Sequence, residues 1–290
     1  KNRFIIKNML RLNQKKAIQC SVDNNFESGI HFHATGTGKS WIALEILLKY
    51  NEIYPNNNVM WICEQKSILI EQFNAKTLKE KGYYHIYTKF NVLNFTENKS
   101  HDWYNSVNSS KFWGKPYLLI INRAFLVSGL KYTKIRLKIN FIIHDECHSI
   151  KNNSTKEFYN YTLNKFKDIK CIGFSATPYT NIAPFNKILS NYTIYDAYLD
   201  NVIVSPKIVW IQSNNIIDHN EIPILLKSHI NKLVYKKIIV WCGMIENCKT
   251  LSKIWEKEYK MKMYVDTSDS DDNEYNKFYN LETNAILFCA

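Results

Sequence analysis

The stretch Ile30-His31-Phe32-His33-Ala34-Thr35-Gly36-Thr37-Gly38-Lys39-Ser40, running on into Trp41-Ile42-Ala43-Leu44-Glu45-Ile46-Leu47-Leu48-Lys49-Tyr50, decides the fold. Its first four residues read as a short buried strand. Ile42, Ile46, Leu47 and Tyr50 then fall on one face of a helix over Lys39–Tyr50. The loop between them is punctuated by glycines, which let the backbone turn tightly so that successive N–H groups face phosphate oxygens. The helix N-terminus adds its partial positive charge. In such a loop Thr35, Gly36, Thr37 and Gly38 surround a phosphate, Lys39 reaches the β- and γ-phosphates, and Ser40 ligates Mg2+. The strict pattern places a further glycine at position 33, where this chain has His33. The reading therefore rests on Gly-Thr-Gly-Lys-Ser and its strand–loop–helix setting.

Working outward, short apolar runs alternate with amphipathic stretches, the pattern of a parallel sheet flanked by helices. Strands are expected at Ile30–His33, Val59–Cys63, Tyr117–Ile121, Phe141–Asp145 and Cys171–Phe174, most of them continuously apolar as for strands buried on both faces. Helices are expected over Ser67–Lys79 and Ser154–Lys165, and a long loop over Asn91–Lys115. A second α/β rhythm follows Pro206. Its strands are expected at Ile208–Gln212, Lys237–Cys242, Met261–Val265 and Ala285–Cys289, with helices over Glu221–Tyr235, Ile245–Tyr259 and Asp272–Tyr279. The expected division is residues 1–205 and 206–290.

Phe141-Ile142-Ile143-His144-Asp145-Glu146-Cys147-His148 is an apolar strand ending in two adjacent carboxylates. One can stand in a magnesium shell, Asp145, while the other, Glu146, acts as general base toward a water. Acidic residues at strand ends are common, so the pair gains its meaning from following a phosphate loop. Cys171-Ile172-Gly173-Phe174-Ser175-Ala176-Thr177-Pro178 is a strand running into small hydroxyl residues, by itself only a turn.

Taken together and in this order, Ala-Thr-Gly-Thr-Gly-Lys-Ser, Asp-Glu-Cys-His and Ser-Ala-Thr-Pro resemble the superfamily 2 helicases and translocases of the DExH type. The nearest branch holds the type III restriction-enzyme translocases and their relatives in large DNA viruses. The resemblance spans about residues 9–290. It implies a RecA-like P-loop NTPase domain with a parallel sheet, part of a second RecA-like domain, and Mg-ATP bound in the cleft between them. It further implies that Gln14, in Leu10-Arg11-Leu12-Asn13-Gln14, reads the adenine edge. His148 with Ser175 and Thr177 would couple hydrolysis to movement. Lys66, after Trp61-Ile62-Cys63-Glu64-Gln65, and Asn122-Arg123 would lie along the nucleic-acid track. Ser205-Pro206 resembles the turn into the second domain.

The departures bear on activity. In this family the second domain supplies an arginine to the transferring phosphate, worth about 10³–10⁵ in rate in comparable systems. The last arginine here is Arg136. The chain lacks an initiator Met and closes on an apolar strand, so a fragment is expected, one that binds Mg-ATP and hydrolyses it poorly.

Composition narrows the classes. The 290 residues are 46% hydrophobic and 22% charged, an ordinary globular balance, and the apolar runs reach only strand length, so no membrane span is expected. Seven cysteines without a C-x-x-C pair argue against a zinc ribbon and a disulfide framework, and for an intracellular setting, the cytoplasm. The resemblance to relatives in large DNA viruses implies a viral factory or virion if the chain is viral. The net charge of +12 is carried entirely by residues 1–205, with 27 Lys+Arg against 15 Asp+Glu. A polyanion such as nucleic acid is the expected partner. DNA is favoured over RNA only as the resemblance to restriction-enzyme translocases implies. The run from Asp266 to Asp272 lacks the glycine and terminal glutamate of a calcium loop, and His31, His33, His85 and His101 are not spaced as a metal set. Trp103 and Trp113 read as packing rather than base stacking. Two other classes stay in view: a small-molecule P-loop kinase, which leaves Ser-Ala-Thr-Pro unexplained, and a non-catalytic nucleotide-gated nucleic-acid-binding scaffold.

Overall fold

A computed structural model describes residues 10–95, 114–178, 181–204, 221, 222, 224, 237–259, 261–268, 270 and 273–290. The chain divides into two compact units, Lys1–Pro206 and Lys207–Ala290.

The first unit is built on strands β1 (Gly29–His33), β2 (Val59–Cys63), β3 (Asn91–Asn94), β4 (Tyr117–Asn122), β5 (Phe141–Asp145), β6 (Lys170–Ser175) and β7 (Ile188–Tyr192). They lie in the order β3-β4-β2-β5-β6-β1-β7, and every neighbouring pair is parallel. This is the RecA-like α/β fold, with a mostly parallel sheet between helices. The strand period of two sorts the side chains. Val59, Trp61 and Cys63 of β2, with Phe141 and Ile143 of β5, enter one core. Met60, Ile62 and Ile142 enter the other.

The first core is closed by α1 (Leu12–Asp23), α2 (Lys39–Ile53), α3 (Lys66–Gln72), α4 (Ala75–Glu80) and α5 (Ile86–Lys89). α2 buries a wide apolar face, Ile42, Ala43, Leu44, Ile46, Leu47, Leu48 and Tyr50, and leaves Lys49 and Glu52 exposed. The second core is closed by α6 (Arg123–Val127), a 3₁₀ segment (Ser128–Lys134) and α7 (Asn153–Lys165). Side chains such as Ile42, Trp61, Ile120 and Phe158 are almost fully buried. Each contributes about 1.5–3 kcal/mol.

Three local readings change. The helix expected over Ser67–Lys79 is two helices, because Asn74 accepts hydrogen bonds from the N–H groups of Lys76 and Thr77 and starts a new one. The loop expected from Asn91 opens with edge strand β3, whose Asn-Val-Leu-Asn sequence has too little apolar content to stand out; β4 supplies its bonding partner. β7 and α8 (Ile194–Leu199) were not expected. β7 is a half-exposed edge strand, so it lacks an apolar run, although the Thr193–Asp196 capping box at the start of α8 is legible.

In the second unit β8 (Lys237–Trp241), β9 (Lys262–Asp266) and β10 (Ala285–Cys289) form a parallel sheet in the order β8-β10-β9. Central β10 is buried along its length. Ile286 and Phe288 pack on Cys248, Leu251 and Trp255 of α9 (Ile245–Glu258), with the Trp255 and Phe288 rings edge to face at 5.6 Å. Ala285 and Leu287 pack on Phe278 of α10 (Asn273–Asn280). The expected strand Ile208–Gln212, the Ser205-Pro206 turn, Trp103, Trp113, His101 and most of the Glu221–Tyr235 helix lie outside the described residues, as do Asp269, Asp271 and Asp272.

Because all seven strands of the first unit run the same way, their C-terminal ends share one edge of the sheet. Cys63 stands opposite both Asn122 and Asp145, Asp145 opposite Phe174, and Phe32 opposite Ser175. In open α/β sheets that edge is where ligands bind.

Candidate active site

The glycine loop follows β1 at this edge. Gly36 and Gly38 take φ of 80° and 89°, backbone that side-chain-bearing residues rarely adopt. Thr37 is buried and its hydroxyl donates to Ala34 O at 2.6 Å, which holds the loop closed. Among the described residues no acceptor takes the N–H groups of Gly36, Gly38, Lys39 or Ser40. Thr35 is exposed at the tip. A Cβ on Gly38 would lie 2.3 Å from Gln14 Nε2. Gln14 is itself buried: its amide donates to Thr37 O at 3.2 Å and accepts from the Arg11 N–H at 2.9 Å. The residue expected to face a base thus also braces the phosphate loop.

His33, where the strict motif has glycine, is the last residue of β1 and is buried. Its Nε2 is 2.8 Å from Ser190 Oγ, which also lies 2.7 Å from His31 Nδ1. His31 Nε2 meets Ser21 Oγ at 2.7 Å. This polar chain ties α1, β1 and β7 together beneath the loop. Burial drives both imidazoles toward the neutral form, His31 down to about 3 with repulsion from His33, and His33 to about 4 with repulsion from Lys39.

The carboxylates end β5. Ser40 Oγ donates to Asp145 Oδ2 at 3.3 Å, and Lys39 Nζ lies 3.2 Å from Glu146 Oε1. Burial, then the neighbouring Glu146, pushes the Asp145 carboxyl up to about 6, against the pull of Lys39 and Ser40. Glu146 adopts φ 56° and ψ 50°, a strained conformation for a residue with a side chain and of a kind that clusters at functional sites. Its Oε2 is 3.4 Å from His148 Nδ1, in the 3₁₀ turn Cys147–Lys151. Gly173 of β6 leaves the room that this turn needs, since a Cβ there would lie 2.5 Å from Cys147 Sγ. For a divalent cation the donor set fits. A hydroxyl and a buried carboxylate, both hard oxygen donors, already touch, and the carboxylate lacks a full counter-charge.

Ser175 is buried at the end of β6 and its Oγ accepts from the Thr177 N–H at 3.0 Å, while Thr177 is exposed. Of the expected nucleic-acid contacts, Lys66 is exposed at the start of α3. Asn122 donates to Glu64 O at 2.6 Å and accepts from the Phe125 N–H, capping α6. The Arg123 guanidinium places Nε 2.5 Å from Glu64 Oε1 and donates from Nη1 to Thr155 at 3.2 Å. Sequence reasoning passed over Glu64 and His144. An acidic residue after a strand carries no signal until strand order puts β2 between β4 and β5.

A parallel sheet, a glycine loop and facing carboxylates define a P-loop NTPase of RecA-like fold. The family described as type III restriction enzyme, res subunit, matches residues 7–180, more than half of the chain, and the chain belongs to that family. Among 443 matching solved chains, the ATP-dependent Type ISP restriction-modification enzyme LlaBIII bound to DNA aligns with a TM-score of 0.72 and 12% identity. The alignment covers 98% of this chain and 24% of that one, so the chain spans about a quarter of that enzyme's length. No curated protein matches the sequence. Among the described residues no helix is long and apolar enough to cross a membrane.

Proposed function

We propose that the chain is the ATPase portion of a nucleic-acid translocase of the DExH type, working on DNA in preference to RNA. The observation that carries this is the apposition of Lys39 and Ser40, from the end of β1, with Glu146 and Asp145, from the end of β5. Thr35, Gly36, Thr37 and Gly38 cradle the phosphates, Lys39 neutralises the β- and γ-oxygens, and Gln14 reads the base. Ser40 and Asp145 hold Mg2+, which when bound supplies Lewis-acid stabilisation of phosphate charge. Glu146, oriented by Lys39 and His148, takes a proton from the attacking water. His148, Ser175 and Thr177 link this event to movement along the polymer, and Lys66, Asn122 and Arg123 lie on its side of the sheet. The second unit is proposed to be part of a second RecA-like domain.

The surplus of lysine in residues 1–205 supports a polyanionic partner. The neighbouring structure, an ATP-dependent enzyme bound to DNA, supports the choice of DNA. A second reading is a nucleotide-gated nucleic-acid-binding scaffold, in which the Lys39–Glu146 contact holds the nucleotide site closed without turnover. Phosphate release from Mg-ATP, measured with single-stranded DNA, duplex DNA or RNA, separates the two. The motor reading expects slow turnover that DNA stimulates and Lys39→Ala abolishes. Mg-ATP binding with no turnover on any polymer favours the scaffold.

A further inference from the structure

His144 is fully buried in β5, one residue before the two carboxylates, and its Nδ1 is 2.7 Å from the Tyr159 hydroxyl of α7. A tyrosine hydroxyl donating to Nδ1 leaves the imidazole proton on Nε2. That Nε2 lies 3.9 Å from Glu64 Oε1, outside hydrogen-bond range, and has no hydrogen-bond partner among the described residues. The same carboxylate oxygen forms an ion pair with Arg123 Nε at 2.5 Å, without the geometry of a hydrogen bond. Glu64 therefore stands between a guanidinium with which it is ion-paired and an imidazole N–H within about an ångström of hydrogen-bond range. Burial opposes its charge, but His144, Arg123 and Ser149 outweigh burial and hold the carboxyl down to about 2.

The two donors belong to strands on either side of β2. Arg123 follows β4; it donates one hydrogen bond, from Nη1 to Thr155, and its Nε makes an ion pair with Glu64 without hydrogen-bond geometry, so most of its five donors are uncommitted among the described residues. His144 belongs to β5 and directly precedes Asp145. The Glu64 carbonyl is fixed by Asn122, so its side chain can turn while its backbone stays in place.

Resting on the nucleic-acid reading above, we infer that Glu64 is a positioning residue, a carboxylate shared between Arg123 and His144. A polymer phosphate that takes Arg123 releases Glu64 to accept from His144 Nε2–H. The exchange ties the end of β2 to β5 beside Asp145 and Glu146, and so carries the presence of the polymer to the nucleotide site.

Glu64→Gln in the full chain keeps the shape and removes the charge. Duplex DNA binding is expected to tighten about two- to fivefold, because Arg123 loses its internal anion. Affinity for a fluorescent Mg-ATP analogue without DNA stays within about twofold. The factor by which saturating DNA raises that affinity falls from about tenfold toward one. In wild type the His144 Nε2–H resonance moves downfield as DNA is added, and in Glu64→Gln it stays in place. A residue with only a structural role would instead weaken DNA and nucleotide binding together, and that result, or an unchanged coupling factor, overturns the inference. If DNA raises nucleotide affinity in wild type but never stimulates hydrolysis, the motor reading falls and the shared carboxylate stands. A wild-type chain whose nucleotide affinity ignores DNA overturns both.

Discussion

Lys39 Nζ lies 3.2 Å from Glu146 Oε1, joining the end of the glycine loop to the end of β5. The lysine side chain is 8% exposed and the glutamate 30%, so the contact is shielded on one side and open on the other. Each residue orients the other, yet their proposed tasks differ: one neutralises phosphate and the other activates water.

That difference predicts two distinct losses. Lys39→Ala is expected to weaken Mg-ATP binding about tenfold or more and to remove measurable hydrolysis, since the phosphate loses its cation. Glu146→Gln keeps nucleotide affinity within about threefold and slows hydrolysis by about 10²–10⁴. Equilibrium titration of a fluorescent nucleotide, together with phosphate release, reads both. Equal loss of binding in Glu146→Gln would make that residue structural.

The glycine loop predicts a contrast between its two glycines. Gly38→Ala meets an unfavourable φ and a Cβ position 2.3 Å from the Gln14 amide, whereas Gly36→Ala meets only the unfavourable φ, its nearest neighbour being Ile203 at 3.9 Å. Denaturant midpoints should place Gly36→Ala about 1 kcal/mol below wild type and Gly38→Ala about 2–3 kcal/mol below. Truncating the amide with Gln14→Ala should recover part of the Gly38→Ala loss, a non-additivity expected only of residues in contact.

The Asp145 carboxyl, pushed up to about 6 by burial and by Glu146, binds a proton where most carboxylates do not. A cation held by Ser40 and Asp145 needs the ionised form. Mg2+ dependence of nucleotide binding should therefore be flat above pH 7 and weaken about tenfold per unit below pH 6. Asp145→Asn would remove both the pH dependence and the Mg2+ dependence. If wild type keeps its Mg2+ affinity down to pH 5, Asp145 is not the metal-side carboxylate.

The legible parts of this fold are those where local sequence and tertiary role coincide. Strands β2, β4 and β5 are buried on both faces, so their apolar runs mark them at once, and the glycine loop and paired carboxylates stand at their ends. β3 and β7 could not be read the same way, because edge strands need little apolar surface and borrow their definition from a neighbour. The Glu64–Arg123–His144 cluster was invisible for a related reason. Its members are 59 and 21 residues apart in sequence, and only the order β4-β2-β5 brings them together. His33 was legible only as a defect in the motif, and its tie to Ser190 on an unread strand explains why it is tolerated.

The buried pair His31 and His33 makes stability depend on pH in a defined direction. Both are bases whose folded pKa lies below the ordinary 6.5, at about 3 and about 4. Well above pH 6.5, by about pH 7.5, neither state binds these protons to any extent, and stability owes them little pH dependence. As pH falls from 6.5 toward 4, the unfolded chain takes up two protons that the folded chain refuses, so unfolding becomes easier. The slope is about 1.4 kcal/mol per pH unit for each histidine, and it ends for each where the folded group titrates. Asp145 acts oppositely below pH 6, because its raised pKa lets the folded state bind a proton more readily. The histidine contribution is therefore isolated by difference. Urea unfolding of wild type and His33→Gln between pH 4 and 7.5 should show the variant losing stability less steeply, by about one proton's worth of slope. Parallel curves would mean that His33 takes up its proton as readily in the folded state as in the unfolded one, so that burial does not hold it neutral.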